Sequence, residues 1–284
     1  MQTYFLTLQY IKNELSAYYP EDEINSFSVL IFLKLENINK IQLHLKQNEP
    51  INSKLFQQVE HIVNRLKKNE PIQYILGETY FYDIKFYTAP GVLIPRPETE
   101  ELVDKIIKDH EDEKNLNVLD IGTGSACIPV ILGLHLNCSR IIAYEISSGA
   151  IKIAEKNRKE HNVPVKIKKN DILKIYDRKE RKKFDIIVSN PPYVTLKEKE
   201  HMQSNVTDFE PHEALFVPDE DPLIFYRAIG RYASNNLKKG GRLYLEINEN
   251  FGTQTFNELL SFEFNEIILK KDINGKERII TAEL

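Results

Sequence analysis

Val118-Leu119-Asp120-Ile121-Gly122-Thr123-Gly124-Ser125-Ala126 is the stretch that determines the fold of this chain. It begins as an apolar run typical of a buried strand, continues as a glycine-rich turn, and leads into a helical pattern. Glycines at positions 122 and 124 allow the backbone to pass close beneath a ligand and to direct amide N–H groups at it. A tight turn without a ligand would give the same pattern, so the motif alone leaves the ligand open.

A second signal follows at the end of the next predicted strand. Glu145 lies twenty-one residues after Gly124 and can accept two hydrogen bonds from ribose hydroxyls. A dinucleotide-binding loop would have a third glycine where this chain has Cys127, so hydride transfer is disfavoured and a nucleoside is favoured. A third strand ends before Asp171 and Ile172, which could meet the adenine amino group and the adenine face. Capping of the next helix explains Asp171 equally well.

The sequence around this stretch alternates short β-rich runs with charged helical segments, which predicts a parallel sheet wound with helices. A terminal pair of strands encloses Asn274-Gly275, a dipeptide favoured in tight hairpins because both residues tolerate positive φ. We therefore predict an α/β fold with seven strands and an antiparallel last connection. The predicted strands are Asn117–Ile121, Ile141–Glu145, Val165–Lys169, Phe184–Ser189, Arg242–Ile247, Glu266–Lys271 and Glu277–Glu283.

The chain before the sheet has a different pattern. From Phe5 to about Leu66 the apolar residues recur at helical spacing, which predicts a small helical bundle. Alternating Tyr, Ile and Phe from Gln73 to Lys85 suggest a short hairpin or an extended connector. We therefore predict a helical domain over residues 1–70, a connector over residues 71–95 and the sheet domain over residues 96–284.

The most specific motif is Asn190-Pro191-Pro192-Tyr193, directly after the fourth strand. Two prolines stiffen the backbone and remove two N–H donors, so the turn presents carbonyl oxygens and the Asn side chain. These acceptors suit an NH2 group, and Tyr193 could add a flat face against a planar amide or base. A proline-stiffened loop that only ends a strand is the alternative interpretation.

Composition excludes several other classes of protein. The chain has 284 residues, a net charge of -4 and a pI of about 6.0, so it lacks the broad basic field of non-specific nucleic-acid binders. Cys127 and Cys138 are the two cysteines and have no metal-ligand partners at useful spacing, so we expect no disulfide framework and no metal. We find neither a signal pattern nor an apolar stretch long enough to span a bilayer, and expect a cytoplasmic protein.

Several motifs together resemble the HemK/PrmC family, the peptide chain release factor glutamine N5-methyltransferases, over nearly the whole chain. The glycine turn is shared by many methyltransferases, and the Asn-Pro-Pro-Tyr turn is shared with enzymes that methylate the adenine amino group. The other matching stretches are Pro71-Ile72-Gln73-Tyr74-Ile75-Leu76-Gly77, Leu93-Ile94-Pro95-Arg96-Pro97-Glu98-Thr99-Glu100 and Phe209-Glu210-Pro211-His212-Glu213-Ala214-Leu215, and the last two are far narrower. Spacing assigns no role to the last two stretches, so they indicate family membership only.

The resemblance implies a seven-stranded, Rossmann-like class I S-adenosylmethionine methyltransferase domain with a small N-terminal helical domain that docks the substrate. S-adenosylmethionine would be the methyl donor, S-adenosylhomocysteine the product, and the Gly-Gly-Gln glutamine of class I release factors the acceptor. Where the family more often has Asp, this chain has Glu145, whose reach is one methylene longer. The cofactor-binding residues implied are Gly122, Thr123, Gly124, Ser125, Ala126, Glu145, Asp171, Ile172 and Asn190.

The same resemblance assigns the substrate side to the proline turn. Asn190 and the Pro191 carbonyl would hold the glutamine NH2, with Pro192 and Tyr193 completing the substrate contact and Asn190, Pro191 and Tyr193 serving catalysis. An amide nitrogen is a poor nucleophile, and two acceptors on its N–H bonds would orient it and stabilise the developing positive charge. We assign no general base, because the methylated nitrogen becomes acidic and can lose its proton afterwards.

Three other functions remain open at this point. An adenine-N6 methyltransferase acting on DNA or RNA would use the same clamp, although the acidic pI and the lack of an evident target-recognition segment argue against it. A glutamine methyltransferase of a ribosomal protein is a sibling function. A non-catalytic interaction protein is the most distant one, since motifs for both halves of a site are intact. We expect a monomer that contacts release factors and makes no direct contact with nucleic acid or membrane.

Overall fold

The computed structural model describes residues 2–284, which form two compact units. The first unit ends at Gly77 and also includes Ser204–Phe209, whereas the second comprises Glu78–Gln203 and Glu210–Leu284. The α-helices of the described chain are α1 Tyr4–Leu15, α2 Glu21–Glu36, α3 Lys40–Leu45, α4 Ser53–Leu66, α5 Ile72–Leu76, α6 Pro97–His110, α7 Cys127–His135, α8 Ser148–Glu160, α9 Ile172–Ile175, α10 Ser204–Thr207, α11 Ile224–Asn236 and α12 Gly252–Leu260. The strands are β1 Glu78–Phe81, β2 Ile84–Tyr87, β3 Leu116–Ile121, β4 Cys138–Glu145, β5 Val165–Lys169, β6 Phe184–Ser189, β7 Val194–Thr195, β8 Phe216–Val217, β9 Leu237–Glu246, β10 Asn265–Lys271 and β11 Glu277–Glu283.

The first unit is helical, as the apolar spacing predicts. Side-chain caps start α1 and α4: the Thr3 hydroxyl accepts from Leu6 N at 3.2 Å, and Asn52 Oδ1 accepts from Leu55 N at 2.8 Å. The apolar face of each long helix then points into one shared core, which includes Ile11, Leu15, Ile31, Phe32, Val59, Val63 and Leu66. The N-terminal helical region of the predicted fold is therefore confirmed.

The predicted connector is a short helix followed by a hairpin. Residues Ile72–Leu76 form α5, where an extended segment is the expectation, because Pro71 starts the turn and Gly77 ends it with a φ of 72°. β1 and β2 form the hairpin, and its two-residue turn holds Tyr82 and Asp83 at positive φ. The first unit thus runs to Gly77, whereas the sequence prediction ends it at residue 70.

The second unit contains a seven-stranded sheet in the order β10-β11-β9-β6-β3-β4-β5. The pairs β9·β6, β6·β3, β3·β4 and β4·β5 are parallel, and β11 runs antiparallel between β9 and β10. This arrangement confirms the predicted α/β fold and its antiparallel last connection. The strand order reverses at β3, which has β4 on one side and β6 on the other, and ligands of such sheets bind at the carboxyl ends beside this point.

Both faces of the sheet are buried. Along β3, Val118 packs in the core on the side of α6, α7 and α8, and Leu119 packs in the core on the side of α11 and α12. Successive side chains of a strand point to opposite faces, so a strand between two helical layers is apolar throughout. The run Val118-Leu119 before the glycine turn is apolar because both faces of β3 are covered by helices.

The hairpin at the C-terminal end differs from the predicted one. Of the Asn-Gly pair, only Gly275 has a positive φ, of 80°, so the two residues do not form a two-residue turn. The connection from Lys271 to Glu277 is longer, and Asp272 organises it by accepting from Asn274 N and Lys276 N at 2.9 Å each.

Candidate active site

A cavity of about 270 Å³ lies at the carboxyl ends of β3, β4, β5 and β6, beside the point where the strand order reverses. The second unit alone provides its lining, including the segment before α6 and the side chains of Phe225 and Ile229. Ten of the residues predicted to form the site line this cavity: Gly122, Thr123, Gly124, Ser125, Glu145, Asp171, Ile172, Asn190, Pro191 and Pro192.

The glycine turn forms the floor of the cavity. Its backbone adopts conformations that favour glycine. Gly122 and Gly124 have φ values of 76° and 54°. A Cβ added at either position would meet no atom within 4 Å, so conformation rather than crowding requires glycine here. The N–H groups of Gly122 and Thr123 donate to Tyr144 O at 2.9 and 3.0 Å, which ties the turn to the neighbouring strand β4.

Ala126 ends this turn and does not line the cavity. It has a φ of 64°, and its fully buried methyl group packs in the core below the turn. An L-residue in this conformation costs about 1–2 kcal/mol, and the buried packing offsets that cost. Its predicted contact with the cofactor stays a prediction.

The carboxylate of Glu145 is held by three backbone N–H groups. Oε2 accepts from Gly124 N at 2.8 Å, and Oε1 accepts from Ile146 N and Ser147 N at 2.8 Å each. The longer reach of Glu lets the carboxylate reach back to the glycine turn. An ionised carboxylate offers about four lone-pair sites, so it retains capacity for a ribose hydroxyl.

Asp171 both caps a helix and lines the cavity. Its Oδ1 accepts from Leu173 N at 3.0 Å at the start of α9, and Lys174 lies 3.3 Å from Oδ2. The capping explanation is therefore correct for Oδ1, and Lys174 is exposed enough to yield Oδ2 to a ligand. Ile172, next to it, contributes an apolar wall.

Asn190 follows β6 and begins a series of hydrogen-bonded side chains that the sequence did not predict. Its Nδ2 donates to Thr99 Oγ1 at 3.0 Å, and Thr99 Oγ1 donates to Glu246 Oε2 at 2.6 Å. Thr99 lies in the first turn of α6, and Glu246 is the last residue of β9, the strand beside β6. Three elements thus converge on one carboxamide.

Glu246 is a buried carboxylate with two hydroxyl donors. The second donor is Tyr193, whose hydroxyl lies 3.0 Å from Oε1. The pKa of Glu246 is raised, because burial outweighs the opposing hydrogen bonds from Thr99 and Tyr193 and the opposing charge of Arg278.

Tyr193 does not line the cavity. Its ring packs against the core formed with α11 and its hydroxyl bonds to Glu246, so the tyrosine has partners inside the protein. Burial also raises its pKa far above the usual value, which keeps the hydroxyl a donor. The predicted contact of its face with the substrate stays a prediction.

Two stretches without an assigned role meet beside the cavity. Arg96 Nη2 lies 2.5 Å from Glu210 Oε1, and Glu210 Oε2 accepts from Ile94 N at 3.1 Å. The Glu210 side chain is 1% exposed, so the pair ties the segment before α6 to the loop after the proline turn. That loop also holds the turn directly, because Leu215 O accepts from Tyr193 N and Val194 N at 3.2 and 2.9 Å.

A further buried residue, Asn157 on α8, supports the glycine turn. Its Nδ2 donates to Ser125 O and Tyr87 O at 2.9 Å each, and its Oδ1 accepts from Tyr87 N at 2.7 Å. The hairpin β1–β2 and the glycine turn therefore share one side chain. The sequence signal for the role of Asn157 is a polar residue on the buried face of a helix, because such a residue needs hydrogen-bond partners inside the protein.

Asp120 is the next-to-last residue of β3, just before the glycine turn, and it lacks such support. Neither carboxylate oxygen has a hydrogen-bond partner within the described chain, and the residue is fully buried. Burial raises its pKa to about 7; the nearby Thr123 hydroxyl opposes that rise and Glu145 adds to it.

Comparisons with known proteins agree with this architecture. A family model described as a methyltransferase small domain matches residues 85–208, and one described as a PrmC N-terminal domain matches residues 7–77. The chain is 43% identical to the release factor glutamine methyltransferase of Bacteroides thetaiotaomicron, over 96% of this chain and 97% of that protein. It is 42% identical to the protein of the same name from Flavobacterium psychrophilum, over 94% of each.

A solved structure supports the fold. A methyltransferase from Pyrococcus furiosus has a TM-score of 0.52 at 15% identity, covering 82% of this chain and 98% of that one.

Within residues 2–284, no group of three or more His, Cys, Asp or Glu side chains could hold a metal ion. None of the helices of the same residues combines the length and apolarity needed to cross a bilayer.

Proposed function

Since the chain belongs to the family of release factor glutamine methyltransferases, we propose that it methylates the side-chain nitrogen N5 of the Gly-Gly-Gln glutamine in class I release factors. It is an enzyme that uses S-adenosylmethionine. When bound, this cofactor supplies a methyl group on a positively charged sulfur and leaves as S-adenosylhomocysteine. We further propose that the enzyme acts as a monomer in the cytoplasm, without direct contact to nucleic acid.

The observation that carries the proposal is that the glycine turn and the proline turn line one cavity. Gly122, Gly124 and Glu145 line one part of it, and Asn190 and Pro191 line another. The open space above the two glycines and the lone-pair capacity of Glu145 fit a ribose and an amino-acid chain. In our proposal Thr123, Ser125, Ala126, Asp171, Ile172 and Asn190 complete the cofactor contacts.

The substrate side would act by orientation and by acceptor dipoles. The side-chain oxygen of Asn190 and the carbonyl of Pro191 would each accept one N–H of the substrate amide, with Pro192 and Tyr193 supporting the turn. The nitrogen gains a carbon bond and loses one proton, so acceptors on both N–H bonds stabilise the charge that develops on it. Pro191 is buried, which keeps water from competing for its carbonyl.

We propose that the helical unit docks the release factor. On α3, Ile41 and Leu45 are one turn apart and are 72% and 77% exposed, although both are large apolar side chains. Aliphatic side chains exposed next to one another are typical of a protein-binding surface.

The experiment is transfer of labelled methyl groups from S-adenosylmethionine to purified release factor. Parallel reactions contain the release factor with its Gly-Gly-Gln glutamine changed to Ala, a ribosomal protein mixture, and duplex DNA or RNA. We expect label on the intact release factor alone, with the methyl group located on the glutamine by peptide mass mapping. Label that persists on the Ala-substituted factor, or that appears on nucleic acid, would contradict the proposal.

The docking role is tested in the same assay with Leu45→Glu. This change should raise KM for the full-length release factor and leave kcat unchanged, because it removes binding that is equal in ground and transition states. Leu260→Glu is the matched control, since Leu260 is an exposed leucine of the other unit. An equal KM for Leu45→Glu and the parent would contradict docking through α3.

A further inference from the structure

The carboxamide of Asn190 can adopt two orientations of nearly equal shape. A rotation of 180° exchanges Oδ1 and Nδ2, and the two atoms are similar in size. Only one orientation presents an acceptor to a substrate NH2 group. The opposite orientation would place N–H groups against N–H groups and would leave the substrate nitrogen unheld.

The neighbours of Asn190 fix this choice through the direction of their hydrogen bonds. Thr99 has one hydroxyl hydrogen, and it is donated to Glu246 Oε2, 2.6 Å away. The Thr99 oxygen is then an acceptor for Asn190, 3.0 Å away, and only Nδ2 can donate to it. Oδ1 is therefore directed away from Thr99.

Glu246 keeps this direction because it is itself held as an acceptor. Tyr193 donates to its other oxygen at 3.0 Å, and the positive charge of Arg278 opposes the rise in pKa that burial causes. The register of the sheet brings the residues together, since Ser189 is paired with Leu245 and the next residues of both strands are Asn190 and Glu246.

We propose that Thr99 and Glu246 are positioning residues, a relay that orients the Asn190 carboxamide with its oxygen toward the methyl acceptor. The inference rests on the proposed function for the identity of the acceptor, and on the hydrogen-bond directions for the orientation. Neither residue is assigned contact with the reacting atoms. The relay extends the acceptor site to a helix and a strand distant in sequence from the proline turn.

The test compares Thr99→Val, which keeps the shape and removes the hydroxyl, with Thr99→Ser, which keeps the hydroxyl. Thr99→Val should lower kcat by about 10- to 100-fold, because the buried amide loses its partner and samples both orientations. KM for the release factor should change by less than about twofold, and Thr99→Ser should stay within about threefold of the parent in kcat. Thermal unfolding of each variant is the folding control.

Two further readouts separate positioning from packing. In the Asn190→Ala background, Thr99→Val should change kcat by less than about twofold, because the relay has nothing left to orient. In nuclear magnetic resonance spectra, the side-chain amide protons of Asn190 should be protected from exchange in the parent and in Thr99→Ser, and unprotected in Thr99→Val.

The outcomes also separate the relay from the proposed function. Unprotected Asn190 amide protons in the parent, or equal protection in Thr99→Val, overturn the relay whatever the substrate is. An equal fold loss from Thr99→Val with and without Asn190 also overturns it, because that result would mean a packing defect. If the parent shows the protection pattern but does not methylate release factor, only the proposed function fails.

Discussion

Two sides of one cavity are built in different ways. On the side of the glycine turn, backbone N–H groups satisfy the key carboxylate: Glu145 accepts from Gly124, Ile146 and Ser147. On the side of the proline turn, the hydrogen bonds join one side chain to another: Asn190 donates to Thr99, and Thr99 donates to Glu246. The first arrangement depends on local backbone shape, and the second depends on the tertiary fold.

This difference predicts different sensitivities. A substitution on the proline side breaks a chain of donors and acceptors, whose members are coupled. On the glycine side, each contact of the carboxylate is made independently with the backbone. Turnover should therefore respond most on the proline side and cofactor affinity on the glycine side.

The largest effect is expected for Asn190→Ala. Removal of a preorganised hydrogen-bonding group lowers the rate by about 100- to 1000-fold, and the affinity for S-adenosylmethionine should stay close to that of the parent. Single-turnover measurements with saturating release factor give the rate, and calorimetry gives the affinity. Asn235→Ala, on the surface of α11, is the control. A rate within about threefold of the parent would mean that the acceptor lies elsewhere.

A smaller effect is expected for Glu145→Ala, and it should fall on affinity. Loss of charge-assisted hydrogen bonds to the ribose should weaken S-adenosylmethionine binding by roughly 1–3 kcal/mol, with the fold retained. Calorimetric titration of the variant measures this loss. Glu155→Ala on α8 removes a carboxylate that pairs with Arg158 on the same helix, and serves as the matched control. Unchanged affinity in Glu145→Ala would show that the ribose is bound by other groups.

The smallest effect concerns Asp120, the buried carboxylate beside the glycine turn. Asp120 has no hydrogen-bond partner among residues 2–284, and burial raises its pKa to about 7, above the ordinary value of 3.8. The folded protein then keeps a proton that the unfolded chain releases, so the free energy of unfolding should fall as the pH rises from about 4 to about 7. The slope from one proton is at most about 1.4 kcal/mol per pH unit.

Asp120→Asn should remove this part of the pH dependence. Urea unfolding at pH 5 and pH 8 measures it, and Asp112→Asn, at an exposed position, is the control. The variant should lose less stability than the parent between the two pH values. A pH dependence equal to that of the parent would mean that Asp120 is ionised throughout this range in the folded protein.

The contrast between the two sides also explains what the sequence could predict. The glycine turn, Glu145 and the proline turn are contiguous motifs or follow one strand pattern, and the seven strands around them were predicted within a few residues. The resemblance to the family is confirmed by the relatives. Thr99 and Glu246 are separated by 147 residues, and only the pairing of β6 with β9 brings Glu246 beside Asn190. An acidic residue at the end of an apolar strand was the one available signal.

Short elements were predicted least well. Helix α5 was expected to be extended because the alternation of Tyr and Ile over five residues fits either structure, and Gly77 decided it by ending a helical turn. The Asn274-Gly275 pair was expected to form a two-residue turn, but the side chain of Asp272 organises a longer loop. In both cases a single neighbouring residue outweighed the local pattern.

Asn157 forms hydrogen bonds with both the hairpin β1–β2 and the glycine turn. The two segments should therefore unfold locally together. If Tyr87 leaves its position, the buried amide of Asn157 loses two of its three hydrogen bonds, and its hold on Ser125 weakens as well. Fluctuations of the hairpin and of the cofactor loop are therefore coupled in free energy. Deuterium uptake at the Tyr87 amide should slow when S-adenosylmethionine binds, although the hairpin does not line the cavity.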